Sequence, residues 1–199
     1  ETEAYFLKLL ARLEILPEHE RSNAVQLFIV AAVPPDRGIS ILEAKSILYS
    51  LSKNYLSDAA QMLRRMLMDA GDKAPTLWLN TIGPWLQEVW PTHQGAKSDT
   101  VSENLARMVM ETREAFPDAV KVVQKFLTPE SWTAALFHLG TTDLPRRFPA
   151  AAFELIESLT GNMKNTDRDT VSKLLDEIEA AEPSLAKTER FVTFRALVE

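Results

Sequence analysis

The chain has 199 residues, 46% of them hydrophobic and 25% charged, which is typical of a folded globular chain. Its formal net charge is −6, and this disfavours nucleic-acid binding, which normally needs a basic face. Cysteine is absent, which excludes disulfides, thiolate metal sites and cysteine nucleophiles. This composition is compatible with the reducing cytoplasm, where we expect the protein to reside.

The sequence contains no segment of the kind that crosses a membrane. Its longest uninterrupted apolar run, residues 28–33, has six residues, whereas a bilayer span needs about twenty. No charged-then-apolar signal peptide opens the chain. Because the first residue is Glu1 rather than Met, we expect the chain to be a piece of a longer protein.

Apolar residues recur every three or four positions in nearly every segment, and no segment alternates convincingly with period two, so helices are predicted throughout. A first helix over residues 6–13 stops before Pro17. A second helix ends at the turn 34–38, which contains two prolines and a glycine. Ser40 is then predicted to cap a third helix.

The fourth helix is predicted to begin at Ser57 or Asp58 and to end at Gly71. An aromatic segment follows at residues 75–90, with a Gly-Pro pair at 83–84 in its middle. Since proline lacks the N–H that an inner helical position needs, we expect this helix to be kinked or split into two short ones.

The second half of the chain contains an internal repeat. Phe-Pro-Asp-Ala at residues 116–119 returns as Phe-Pro-Ala-Ala at 148–151, and the Leu-Thr pair at 127–128 returns at 159–160. The offset is 32 residues in both cases, and such a period indicates stacked supersecondary units. We therefore predict an all-α fold, a right-handed α-α superhelix of HEAT- or TPR-like two-helix repeats with ten to eleven helices.

The chain is predicted to form a single helical-repeat domain over residues 1–199, with N-terminal helices in 1–97, the clearest repeats in 98–182 and a C-terminal cap in 183–199. Residues 117–139 and 149–181 are expected to superpose as two-helix units. The residues predicted to form the buried faces of these units are Val123, Leu127, Leu155, Leu159, Leu174, Leu175 and Ile178.

No arrangement typical of an active site is present. His19, His93 and His138 lie far apart in the sequence, and none has a second ligand at helical spacing, so no metal site is predicted. Acidic residues occur opposite the apolar stripes, where carboxylates are solvated, and neither a glycine-rich phosphate loop nor a G-x-S-x-G motif exists. We predict a protein that is not an enzyme and has no cofactor.

Three residues are candidates for contact with a partner. Trp90 precedes Pro91 at a helix end and is the tryptophan expected to be partly exposed, whereas Trp78 and Trp85 share an apolar stripe and are expected in the core. Arg146 and Arg147 lie between the two repeat units and could bind a phosphate or carboxylate. The interpretation we prefer for these two is pairing with carboxylates of the neighbouring repeat.

Three segments from Phe116 onward carry a resemblance to known proteins: FPDAVKVVQKFLTPESWTAALFHLG, DLPRRFPAAAFELIESLTG and LLDEIEAAEPSLAKTERFVTFRALVE. They are similar to the C-terminal helical-repeat regions of large bacterial multidomain proteins. In those proteins a sirtuin-like or STAND-type NTPase module precedes the array, and many are associated with anti-phage defence. The resemblance implies a scaffolding or sensing segment whose chemistry is encoded elsewhere.

These observations predict a non-catalytic protein-interaction or sensing scaffold, with a protein partner or another domain of the same chain. One alternative is a self-contained helical enzyme, which a deep polar cavity holding several carboxylates and histidines would favour. The other is a nucleic-acid-binding repeat. It would need a cationic stripe formed by Arg107, Arg113, Lys121, Lys125, Arg146 and Arg147.

Overall fold

The computed structural model describes residues 16–33, 39–93, 96–129, 133–160 and 168–198, and no β-strand occurs within these ranges. The prediction of an all-α protein is therefore confirmed. No helix in the described parts of the chain is both long enough and apolar enough to cross a membrane. Two predicted features lie outside the described residues: the helix over 6–13 and the turn at 34–38.

The described ranges contain ten α-helices of seven or more residues and two of four residues. They are α1 (Glu18–Ala32), α2 (Ile41–Ser50), α3 (Lys53–Ala70), α4 (Ala74–Leu77), α5 (Gly83–Val89), α6 (Asp99–Met110), α7 (Phe116–Val123), α8 (Thr133–Gly140), α9 (Leu144–Arg147), α10 (Pro149–Thr160), α11 (Arg168–Ala181) and α12 (Glu189–Val198). Short 3₁₀ segments occur at Gly71–Lys73, Arg113–Ala115, Gln124–Phe126 and Leu185–Lys187.

The packing contacts arrange most of these helices in two rows. In the first row each helix packs on the next, in the order α1, α3, α6, α8, α11 and α12. In the second row α5 packs on both α2 and α7, and α7 packs on α10. The rows are joined where α6 packs on α7 and where α10 packs on α11. Helices of the two repeat copies thus lie against each other, α7 on α10 and α8 on α11.

Prolines lie near the start of three helices of the second row. Pro84, Pro117 and Pro149 each lie in the first turn of α5, α7 and α10 respectively. Proline is well suited to the starts of α7 and α10, because the first helical N–H groups have no partner within the helix. Pro84 instead directly follows the π-helical turn Trp78–Ile82.

The N-terminal half shows one helix boundary as predicted and one that differs. The Ser40 hydroxyl accepts a hydrogen bond from the Glu43 backbone N–H at 3.3 Å, and the Glu43 carboxylate accepts one from the Ser40 N–H at 3.0 Å, a complete capping box. The fourth predicted helix begins at Lys53 rather than at Ser57 or Asp58. The break occurs earlier because Leu51 is extended, with φ −73° and ψ 141°.

The aromatic segment contains two short α-helices, α4 and α5, rather than one uniform helix. A π-helical turn, Trp78–Ile82, joins α4 to α5, and the Gly83 N–H donates to the Trp78 carbonyl oxygen. The helical hydrogen-bonding pattern therefore changes immediately before Pro84. Gly83 is needed here, since a Cβ at this position would lie 3.1 Å from both the indole and the carbonyl oxygen of Trp78.

All seven residues predicted to form the buried faces of the repeats are buried, so the register assigned to these helices is confirmed. They belong to one apolar cluster that extends from Ala24 in α1 to Val198 in α12. At the C-terminal end of this cluster, Phe191 and Phe194 of α12 pack on the Phe153 ring of α10, with ring centroids 5.0 and 5.5 Å apart.

Candidate functional site

Trp90 is buried, although the sequence predicted it to be partly exposed. Its side chain is only 3% exposed and meets the Phe126 ring edge-on, with the ring centroids 6.5 Å apart. Although Trp90 ends a helix, the extended backbone at this residue turns the indole back onto the segment after α7. Trp90 therefore offers almost no surface to a partner. Trp78 and Trp85 are buried, as predicted.

Arg146 and Arg147 lie in the short helix α9 and make the ion pairs that we preferred for them. Arg146 Nε is 3.4 Å from Glu177 Oε2 on α11, and Arg147 Nη2 is 2.6 Å from Glu114 Oε1. The Arg147 guanidinium also lies 5.1 Å from the centroid of the Phe148 ring. Both arginines therefore form ion pairs that link α9 to neighbouring segments of the fold.

The cations proposed for a nucleic-acid stripe are divided between several helices and largely engaged. Among its four arginines, Arg107 lies 3.5 Å from Glu103 and Arg113 lies 2.5 Å from Asp72, and the other two are paired as described above. Lys125 lies 4.9 Å from the Phe126 ring centroid. These side chains do not form a continuous row of free positive charges.

A different cluster of cations lines a groove of about 420 Å³ between α3 and α6. We call it the arginine groove, and its lining residues are Gln61, Arg64, Arg65, Met68, Asp69, Asn104 and Arg107. The five residues from α3 recur at three- and four-residue spacing, which places them on one face of the helix. The two residues from α6 are three positions apart and form the opposite wall.

One ion pair in this groove is well enclosed. Arg64 Nε and Nη2 both lie 2.9 Å from Glu111 Oε1, and both side chains are mostly buried. Removal of either partner would leave a charge with little solvation, so this pair fixes the end of α6 against α3. The sequence pattern placed Glu111 on a solvated face, and the contact with Arg64 corrects that interpretation.

His138 of α8 lies beside the Arg64–Glu111 pair. Its Nε2 is 3.9 Å from Glu111 Oε1. Burial lowers the pKa of His138 below the ordinary value of 6.5, and the positive charges of Arg64 and Arg107 lower it further, while Glu111 opposes them. The net effect of the charged neighbours on His138 is that of a locally positive environment. No sequence pattern linked His138 to these residues.

The remaining polar side chains of the groove differ in how far they are engaged. Arg65 is 72% exposed, and its Nε lies 4.0 Å from Asp69, beyond hydrogen-bond distance. Arg107 Nε is buried and has no hydrogen-bond partner among the described residues. Asn104 uses its amide nitrogen to donate to the Ser57 hydroxyl at 2.8 Å. Arg65 is therefore the arginine of this groove whose donors are most accessible.

A second, more polar groove of about 680 Å³ lies near the start of α3. Its lining residues are Ser22, Ser52, Asn54, Tyr55, Ser57, Asp58 and Thr100. Burial raises the pKa of Asp58, and a hydrogen bond with the Ser22 side chain partly opposes this. Asp58 is the sole carboxylate among the lining residues, which include no histidine. The groove therefore lacks the set of several carboxylates and histidines that the enzyme alternative calls for.

Among the described residues, no group of three or more His, Asp or Glu side chains is arranged to hold a metal ion.

No protein-family model matches the chain, and no solved structure matches it. The chain is similar to the uncharacterized protein y4cA of Sinorhizobium fredii (strain NBRC 101917 / NGR234), with 25% identity over 182 residues. The match covers 88% of this chain but 15% of that protein, so the chain spans only a small part of the length of this relative.

Proposed function

We propose that this chain is a non-catalytic protein-interaction or sensing segment of a larger bacterial protein. The observation that carries the proposal is the exposed arginine groove, which combines cationic, amide and apolar groups on the surface of stacked helices. Met68 is 54% exposed at its edge, and a large apolar side chain beside arginines is a combination enriched at protein interfaces.

We further propose that the two rows form a superhelix of HEAT- or TPR-like two-helix units. Support comes from the contacts of α7 with α10 and of α8 with α11, because equivalent helices of successive units stack in such arrays. The first-turn prolines at 84, 117 and 149 also recur at nearly constant spacing. A stack of this kind displays an extended surface and needs no catalytic group to function.

The assignment to a larger protein is supported by the length of the relative, since this chain matches 15% of that bacterial protein. It agrees with the resemblance of the segments from Phe116 onward to helical arrays that follow a sirtuin-like or STAND-type NTPase module. In this proposal the catalytic or signalling chemistry belongs to another part of the protein, and the helical array recognises the partner.

The test is affinity capture from a bacterial lysate on the immobilised chain, with quantitative mass spectrometry of the retained proteins. We expect a protein that is retained after nuclease treatment and displaced by excess free chain. Met68→Gln should reduce its retention, whereas Leu79→Gln should not, because Leu79 is similarly exposed, at 51%, but lies in the π-helical turn away from the groove.

Two results would contradict the proposal. One is retention that nuclease treatment abolishes, which would indicate nucleic acid as the partner. The other is turnover of a small molecule by the purified chain, which would show that this segment itself is an enzyme.

A further inference from the structure

We infer that the second groove, near the start of α3, binds a basic side chain from a peptide segment of a partner protein, with Asp58 as the opposite charge. We call this groove of about 680 Å³ the polar groove. The inference rests on the proposed interaction function and adds a site and the chemistry of the partner. The polar groove lies where α1 and α6 flank α3, and these helices contribute Ser22, Thr100 and Asp58 to its lining.

Asp58 is a partly buried carboxylate that no cation of the described residues compensates. It is the one charged residue among the described residues that line the groove. Burial raises its pKa and the hydrogen bond with Ser22 opposes this, whereas no arginine or lysine of the described residues contributes. Arg21 reaches the neighbouring Tyr55, to whose hydroxyl it donates at 3.3 Å. Since a partly buried charge without an opposite charge costs free energy, a cation in the groove would stabilise ionised Asp58.

Four other partly buried carboxylates have the partner that Asp58 lacks. Their side chains are between 21% and 33% exposed, and each lies within 4.0 Å of an arginine nitrogen. They are Glu103, Glu111, Glu157 and Glu177, paired with Arg107, Arg64, Arg190 and Arg146 respectively. The contrast indicates that the missing cation at Asp58 comes from outside the described chain, because partly buried ionisable groups without a partner are found at functional sites.

The other side chains of the groove are suited to the donors of a basic side chain. Ser52, Asn54, Tyr55 and Thr100 provide hydroxyl or amide oxygens, which accept hydrogen bonds. A lysine ammonium has three N–H donors and an arginine guanidinium has five, and neither has an acceptor. The volume of the polar groove is within the usual range for a ligand site, so it can hold such a side chain together with adjacent peptide backbone.

A peptide fits this groove better than a metal ion or a polyamine does. Among the described residues no group of three His, Asp or Glu side chains could hold a metal ion. A polyamine carries several charges, whereas Asp58 supplies one carboxylate and therefore matches one basic side chain. The net charge of −6 also favours encounter with a basic segment, because long-range attraction raises the rate of association between opposite charges.

The experiment measures fluorescence anisotropy of a labelled octapeptide of alternating Lys and Ser. A second labelled octapeptide has Gln in place of Lys, and unlabelled spermidine is the competitor. We expect the lysine peptide to bind, the glutamine peptide to bind at least ten-fold more weakly, and the affinity for the lysine peptide to fall with added salt.

Asp58→Asn should weaken binding of the lysine peptide about ten-fold or more, because it removes the carboxylate and keeps the size of the side chain. Asp169→Asn is the matched control. It removes the same unit of charge from an exposed position of α11 outside the groove, so it reports the general attraction of an acidic protein and should leave the affinity nearly unchanged. Circular dichroism of each variant establishes that the fold is retained.

A measurement on the wild-type chain tests the same contact if Asp58→Asn does not fold. Carbon-13 NMR of the Asp58 carboxyl group follows its pKa with and without peptide. We expect the lysine peptide to lower this pKa, because a bound ammonium favours the ionised carboxylate, and the glutamine peptide to leave it unchanged.

Failure of this inference can be distinguished from failure of the proposed function. If the lysine peptide does not bind, binds Asp58→Asn and Asp169→Asn equally, or leaves the pKa of Asp58 unchanged, the inference is overturned. If spermidine binds more tightly than the lysine peptide, the groove takes small organic cations and the peptide assignment is wrong. The scaffold proposal would still stand in each case if a captured protein is retained regardless of nuclease treatment.

Discussion

At the scale of single residues, Trp78 connects the aromatic segment with the first repeat copy. Its side chain is fully buried, yet the indole N–H donates a hydrogen bond to Asp118 Oδ2 at 2.9 Å. Asp118 lies in the first turn of α7, where a carboxylate also complements the helix dipole. The Asp of the Phe-Pro-Asp-Ala copy is therefore a contact between successive helices of the second row, and Ala150 replaces it in the other copy.

Leu159 provides a residue-scale test of the core. The side chain is fully buried in α10, so Leu159→Ala removes apolar contacts and leaves a cavity. We expect a loss of about 2–5 kcal/mol in the free energy of unfolding, measured by urea denaturation. Leu79→Ala, at a half-exposed position, should cost much less. A loss below about 0.5 kcal/mol for Leu159→Ala would mean that α10 packs in another register.

His138 provides a test of electrostatics. Its pKa is lowered in the folded protein by burial and by Arg64 and Arg107, so the unfolded chain takes up the proton first as the pH falls. The contribution of neutral His138 to stability is therefore complete above pH 6.5 and is lost as the pH falls below 6.5 toward the lower folded value.

We expect His138→Gln to reduce the loss of stability between pH 7.5 and pH 5.5, measured by urea unfolding at both values. His93→Gln, which replaces an exposed histidine, is the control. An equal loss of stability in wild type and His138→Gln would show that the folded environment of His138 does not disfavour its protonation.

At the scale of helices, the features that could be predicted from the sequence are those set by residues close together in the chain. Ser40 and Glu43 form a capping box over three residues, and the first-turn prolines fix where α7 and α10 begin, so these starts were predictable. The π-helical turn was not predictable from the sequence. Its free-energy cost is offset by tertiary packing of the Trp78 side chain. A proline within a helical pattern usually indicates a kink or a break.

Gly83 tests the π-helical turn. Its helical backbone would accept alanine, but the added Cβ would lie 3.1 Å from the Trp78 carbonyl oxygen and indole, closer than ordinary contact. We expect Gly83→Ala to destabilise the protein by about 1 kcal/mol, against the usual gain from replacing a helical glycine. Gly140→Ala is the control, since its Cβ would make an ordinary 3.7 Å contact with Leu174 and should be neutral or stabilising. Equal stabilisation by both changes would show that the turn relaxes freely.

At the scale of the whole molecule, the sequence predicted which faces are buried but not which helices meet. The buried set in α7, α10 and α11 follows from helical periodicity, which a single segment reveals. The arginine groove depends on the packing of α3 against α6, and the pairing of Arg64 with Glu111 spans 47 residues. The helical periodicity of a sequence does not reveal a contact between residues so far apart. Trp90 was misjudged for the same reason, since its contact with Phe126 is also tertiary.

The continuity of the core leads to a prediction about cooperativity. Although each helix packs mainly on its neighbours, the buried residues form one cluster from α1 to α12. A large core substitution at one end should therefore destabilise the whole chain rather than only the last helices. Phe191→Ala, which removes a buried ring packed on Phe153, should lower stability by about 3–5 kcal/mol.

The measurement is made in a Trp132→Phe background, so that Trp78, Trp85 and Trp90 are the tryptophans that emit. It compares urea unfolding followed by tryptophan fluorescence with unfolding followed by far-ultraviolet circular dichroism. Because these three tryptophans are buried far along the stack from α12, coincident shifts of both midpoints in Phe191→Ala would demonstrate coupling through the cluster. A shift in circular dichroism with an unchanged fluorescence midpoint would instead show that the C-terminal helices unfold independently. That result would be the behaviour of a linear array with weak interfaces between its units.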